Sequence, residues 1–217
     1  MQRSPTGREA ALPFAFEYGL TDRLGLLVEP VPYTAIRPQQ GRRATGPGDI
    51  EATLSYLVLP ETPTRPALTV SGEVKIPTAR DALIGTGQTD YTGYLIASKH
   101  LMPPLDVHAH LGYTVIGKPA GAALNNIVSF GVGAEYAVAP RYLLFGEVLG
   151  NSASAPDGES ADAGISVGPV AEAAGGELVG TLGAGRFLRP GALASLGVSY
   201  DNNGAVLLRP GLTLWFR

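Results

Sequence analysis

The stretch Leu105–Val115, reading LDVHAHLGYTV, decides the fold. Leu105, Val107, Ala109, Leu111, Tyr113 and Val115 alternate with Asp106, His108, His110, Gly112 and Thr114. Successive side chains on a strand point to opposite faces, so this segment has one apolar and one polar face. The pattern recurs outward from it. Asp49, Glu51, Thr53 and Ser55 oppose Ile50, Ala52, Leu54 and Tyr56. Thr69, Ser71, Glu73 and Lys75 oppose Leu68, Val70 and Val74, and Ser129, Gly131, Gly133 and Glu135 oppose Val128, Phe130, Val132 and Ala134. Period two runs along almost the whole chain and predicts eleven strands, over 12–20, 24–35, 49–59, 67–77, 89–101, 105–117, 127–138, 142–150, 175–187, 192–201 and 205–216. The second is the weakest, because Pro30 and Pro32 each remove a ladder donor. Residues 1–11 are expected to be a disordered lead-in to a single barrel domain spanning 1–217.

Composition agrees. The chain has 217 residues, 45% hydrophobic and 16% charged, with 29 Gly and 18 Pro. It is too apolar for disorder and too rich in Gly and Pro for long helices. No run of apolar residues is long enough for a membrane helix, but a membrane strand needs only about 9–11 alternating residues. A net charge of −3 gives no electrostatic case for nucleic acid. Without Cys there are no disulfides, no thiolate zinc sites and no thiol chemistry.

Tight turns at Thr21–Arg23, Met102–Pro104, Ala139–Arg141 and Leu188–Pro190, with a somewhat longer Leu59–Pro66, alternate with longer loops at 37–48, 78–88, 118–126 and 151–174, a second set in which Asn202–Gly204 is the one short connection. Short turns at one rim and long loops at the other mark an up-and-down barrel of the outer-membrane kind. A soluble antiparallel barrel or sandwich has the same period. Aromatic residues favour the membrane reading. Tyr18, Tyr56, Tyr136, Tyr142, Phe187 and Phe216 gather near the short-turn rim, and Tyr91, Tyr113, Phe130 and Tyr200 near the other, as interfacial girdles require. Leu54, Val70, Val107, Leu111, Val132, Leu196, Leu208 and Leu212 are then expected to face outward. A polar lining of Glu17, Glu51, Glu73, Lys75, Asp106, His108, His110, Glu135, Glu147, Glu177 and Arg209 is expected to face the lumen. An even strand number with both ends at the short-turn rim is the rule for such barrels. Eleven strands, and a polar Met1–Ala11 with no apolar leader, therefore lead to the expectation that one N-terminal strand and a leader are missing. A gap between Leu12–Leu20 and Ala205–Phe216 follows, since both would run the same way.

In order along the chain, FEYGLTDRL (Phe16–Leu24), GPGDIEATLSYL (Gly46–Leu57), GEVKIPT (Gly72–Thr78), GTGQTDY (Gly85–Tyr91), ASKHL (Ala97–Leu101), HLGYTVIG (His110–Gly117), AEY (Ala134–Tyr136) and the pair Gly146-Glu147 form a series. It resembles the outer-membrane barrel family of the MetA pathway of phenol degradation, whose members are often described as transporters. The resemblance implies a barrel of twelve strands in the bacterial outer membrane, in contact with the lipid bilayer. It also implies passive passage of small solutes, aromatic or hydrophobic ones included, and a C-terminal aromatic, Phe216, read by the assembly machinery. A non-conducting structural or binding barrel is the alternative.

Asp106, His108 and His110 share one strand face, which suits Zn²⁺ or Cu²⁺, or equally a hydrogen-bonded polar lining. Ser98, His100 and Asp106 flank a tight turn, but no nucleophile motif surrounds the serine. Gly112–Lys118 has phosphate-loop spacing, but Pro119 stands where Ser or Thr is needed and no helix is expected to follow. The expectation is a protein that is not an enzyme, with no cofactor, no catalytic residue and no metal.

Overall fold

The computed structural model describes residues 2–119, 121, 123–154 and 176–215. They form one antiparallel sheet of fifteen strands, and among the described residues there is no helix. The strands are β1 (Gln2–Ser4), β2 (Gly7–Leu12), β3 (Phe16–Gly19), β4 (Leu24–Pro30), β5 (Tyr33–Pro38), β6 (Ala44–Gly46), β7 (Ile50–Leu59) and β8 (Ala67–Ile76). They continue as β9 (Asp90–Met102), β10 (Leu105–Val115), β11 (Ile127–Ala139), β12 (Tyr142–Asn151), β13 (Glu177–Arg189), β14 (Ala192–Asp201) and β15 (Val206–Leu214).

From β7 to β15 every strand pairs with its sequence neighbour, a meander of short turns and longer loops. Gly191, at φ 82°, makes the tight β13–β14 turn in a backbone conformation that side chains disfavour. The first third is broken up by its prolines. The β2–β5 ladder ends at Leu12 opposite Tyr33 and the β3–β4 ladder begins at Phe16 opposite Val28. Between them the Phe14 amide donates to the Pro30 carbonyl at 3.0 Å. So β2 and β3 are halves of one long strand, as are β4 and β5, interrupted at Val31-Pro32. The β4–β7 and β5–β6 ladders keep one common offset, Pro30 opposite Ile50 and Thr34 opposite Gly46, so β6 and β7 are likewise halves of one strand. Fifteen segments thus occupy twelve positions, three positions holding two segments each.

The twelfth position is β1. Gln2 lies opposite Leu207 of β15 on one side and opposite Glu9 of β2 on the other. Residues 2–11, expected to be disordered, therefore hold β1 and most of β2, and β6 lies inside a span expected to be loop. The ring is stitched by β1 at the long-loop rim only, and β3 is an edge strand toward the short-turn rim. Among the described residues no ladder joins 12–20 to 205–215, so the expected gap is present there. Most of the 151–174 loop falls outside the described residues, as does Phe216.

Which face is concave follows from one contact. Arg209 on β15 reaches Glu147 on β12, Nη1 to Oε1 at 3.4 Å, across two intervening strands. Side chains that far apart in a sheet meet only on its concave face. Residues directly opposite in a ladder share a face. The inner face therefore runs from Glu147 through Gly133, His108 and Ser98 in one direction. In the other it runs through Thr181, Ser199, Leu207, Gln2, Glu9, Ile36 and Ala44. The outer face is apolar, with Leu54, Val70, Leu111, Val132, Leu196, Leu208 and Leu212 exposed and Val107 half-buried. Tyr18, Tyr56, Tyr136 and Tyr142 stand exposed toward one rim and Tyr91, Tyr113, Phe130 and Tyr200 toward the other. Phe187 departs from its expected girdle. Opposite Leu193, which lies opposite Thr213, it is on the inner face, where its ring stacks on Trp215 at 6.3 Å.

Candidate functional site

The inner face carries the polar residues. Register places Glu17, Glu51, Glu73, Lys75, Asp106, His108, His110, Glu135, Glu147, Glu177 and Arg209 there. It adds Glu9, Glu29, Asp90 and Asp201, which the strand pattern alone did not single out. Glu29 was obscured by the prolines of its strand, and Asp90 and Asp201 sit at strand ends, where a loop role is the simpler reading. Among the described strand residues, Lys75 and Arg209 are the lysine and arginine facing these acids, beside His100, His108 and His110.

Several of these groups are paired. Lys75 Nζ is 2.5 Å from Asp90 and 3.9 Å from Asp49, with Thr86 Oγ1 at 3.5 Å. Thr53 Oγ1 donates to Glu73 at 3.1 Å, and the Tyr94 hydroxyl reaches the same carboxylate at 3.5 Å. The histidines are each engaged separately. His100 Nδ1 lies 2.6 Å from Asp106, His108 Nδ1 lies 2.9 Å from Ser98 Oγ, and the His110 ring meets Tyr94 edge to face at 5.9 Å. The Asp106, His108 and His110 set is thus dispersed into pairs with β9, and no metal-ligand cluster forms among the described residues. Ser98 bonds to His108 rather than to His100, so Ser98, His100 and Asp106 form no relay.

Glycine lets these rings lie against the wall. A Cβ at Gly112 would sit 2.7 Å from the Tyr94 ring, and one at Gly131 would sit 2.8 Å from His110 Nδ1. Beside the rings a cavity of about 320 Å³ is lined by Tyr94, His110, Asn151, Glu177, Asp201 and Arg209 together with residues of β1 and β14.

Across the mouth, the loop 77–89 folds onto the inner face. Ile84 packs against Ile36 and Ala44, with Ala79 and Leu83 around it, and Ile36 is 0% exposed. The Asp49 carboxylate accepts the Thr78 and Ala79 amides at 3.0 and 2.9 Å, and Thr78 Oγ1 donates to the Gly48 carbonyl. Arg42 grips Asp81 with two bonds of 2.5 and 2.7 Å. That grip, with the Leu83 amide, holds the Asp81 carboxyl down at about 2. The strands allow this docking because the alternation slips by one residue at Val31-Pro32 and again at 47–49. Gly48 donates to the Val31 carbonyl at 2.7 Å there, and its own missing Cβ would be 3.0 Å from Val31 Cβ. Above the slip Ile36 and Ala44 face inward, whereas below it Glu29 and Glu51 do.

Solved structures share this architecture over the whole chain. A KdgM porin superposes with a TM-score of 0.64 at 10% identity, covering 100% of this chain and 96% of its own. The fold is that of a porin barrel. A KdgM porin in complex with disordered oligogalacturonate gives a TM-score of 0.65 at 10% identity, covering 100% and 95%. A NanC porin gives 0.66 at 9%, covering 99% and 96%. No family model matches the sequence, and no curated protein does. The resemblance to the phenol-degradation family thus has no support from these matches, and the porin fold is what they establish.

Proposed function

We propose that the protein is a porin-like channel of the bacterial outer membrane that passes small hydrophilic solutes passively and prefers cations. The charge on the inner face carries this reading. Glu9, Glu17, Glu29, Glu51, Glu73, Asp90, Asp106, Glu135, Glu147, Glu177 and Asp201 face inward against Lys75 and Arg209. A ring of carboxylates in a low-dielectric wall raises the local concentration of cations and repels anions. The porin matched above with oligogalacturonate binds a polyanion. The acid excess here argues against such a cargo for this chain. The lining interleaves Leu149, Val179 and Leu207 with hydrogen-bonding groups, and its carboxylates favour hydrophilic solutes over the aromatic ones that the family resemblance implied. The exposed apolar belt and its two tyrosine girdles support placement in a bilayer.

The test is a planar-bilayer recording of the purified chain under a salt gradient. The expected result is a steady conductance with a reversal potential of cation-selective sign. A folded protein that never conducts would favour the structural or binding barrel, and an anion-selective current would reject the charge argument.

A further inference from the structure

We infer that the passage is one-sided. The loop 77–89 is a fixed constriction filling the β5–β8 sector of the mouth, and solutes cross along the β9–β15 wall. This rests on the channel reading above. Two independent observations carry it. The loop is anchored to the inner face in three different ways: apolar burial of Ile84, the Asp49 carboxylate on two loop amides, and the Arg42 clamp on Asp81. Among the described residues a cavity lies elsewhere. The cavity is bounded by β1 and by β9 to β15, and no residue of β4 to β8 or of the loop lines it.

The division follows from physical chemistry. An exposed loop gains nothing by burying an isoleucine unless an apolar seat exists, and the slip at Val31-Pro32 creates that seat by turning Ile36 and Ala44 inward. A wall that solutes follow needs polar groups to keep it wet, and Tyr94, His110, Asn151, Glu177 and Arg209 supply them among Leu149, Val179 and Leu207. Selectivity is therefore set by the gap between the loop and that wall, and by the charges on the wall.

Absence of native cysteine makes single-site labelling clean. Conductance is recorded for the full chain carrying Asn151→Cys or Ile84→Cys, before and after a bulky hydrophilic maleimide is added from the loop side. Block is expected for Asn151→Cys, whereas the buried Ile84→Cys should react slowly and leave the current intact. In a third variant the loop tip 80–88 is replaced by a short Gly-Ser turn. Its conductance should rise roughly two-fold or more, with a larger polymer-exclusion limit, because the pore cross-section grows. Asp49→Asn, which weakens the loop anchor without shortening the chain, should shift both readouts the same way and expose Ile84→Cys to reagent. If the wild-type protein conducts and neither loop variant alters conductance or size limit, the constriction is wrong and the channel reading stands. If wild type and loop-shortened protein both fold and neither conducts, the channel reading fails and this inference fails with it.

Discussion

Glu29 and Glu51 stand directly opposite each other across the β4–β7 ladder, both on the inner face. Like charges directly opposite in an antiparallel pair destabilise it, by roughly 0.2–1 kcal/mol. Lys75 lies opposite Glu51 on the far side, but its ammonium is drawn to Asp90 and Asp49. Among the described residues, no basic side chain is thus paired with Glu29 or Glu51 to offset the repulsion between them. Glu29→Gln should raise resistance to urea by up to about 1 kcal/mol and reduce cation selectivity. Urea unfolding in lipid vesicles, alongside the reversal potential, reads both. A loss of stability would show that the pair is held by favourable contacts.

Gly183 and Gly180 lie on the same strand and should respond differently to alanine. A Cβ at Gly183 would collide with the Phe145 ring and come within 2.7 Å of the Leu196 carbonyl, whereas at Gly180 nothing lies within 4 Å. Overpacking of this kind costs about 1–3 kcal/mol. Gly183→Ala should lose that much in urea unfolding, and Gly180→Ala should stay within about 0.5 kcal/mol of wild type. Equal effects would mean that Phe145 moves aside freely.

Leu182 faces outward in the middle of β13 and is 75% exposed. In a bilayer that exposure is to hydrocarbon. Leu182→Arg should cost about 2–4 kcal/mol in vesicles. Thr181→Ser, its inward neighbour, is the control and should cost far less. If the arginine variant folds as well as wild type in lipid, β13 does not cross the hydrocarbon.

Acid should release the loop late. The Asp81 carboxyl is depressed from 3.8 to about 2 in the folded chain, chiefly by the Arg42 hydrogen bonds. A depressed acid stabilises fully above its unfolded value, and that contribution fades as pH falls toward the folded value. Labelling of Ile84→Cys, with a pH-tolerant thiol reagent, should therefore stay slow down to about pH 4 and accelerate between pH 4 and 2. With Asp81→Asn it should be faster at neutral pH and lose that step. A step near neutral pH instead would assign the anchor to another group.

The residues themselves show how far sequence reading reaches. Glu51, Glu73, Glu135 and Glu147 were legible as one face because parity along a strand fixes the side on which each side chain emerges. Phe187 was legible by the same rule. It shares parity with Glu177 and so turns inward, and its nearness to the rim misleads only if parity is ignored. Glu29 was hidden by Pro30 and Pro32. The polar residues of β10 were visible as a set, but the separate pairing of Asp106, His108 and His110 with His100, Ser98 and Tyr94 depends on which β9 residues lie beside them.

The sequence by itself determined the antiparallel class, most strand spans and the sorting of side chains into an apolar face and an acidic one. All of these depend on local alternation and turn chemistry, which neighbouring residues settle between them. Only the tertiary structure decided that β1 fills the twelfth position and that the ring is stitched at one rim. It also decided that the alternation slips at Val31-Pro32, and that Ile84 finds its seat on Ile36 and Ala44. Those features depend on pairings and burials between segments far apart in the chain, whose energies exist only once the sheet has curled and brought the partners together.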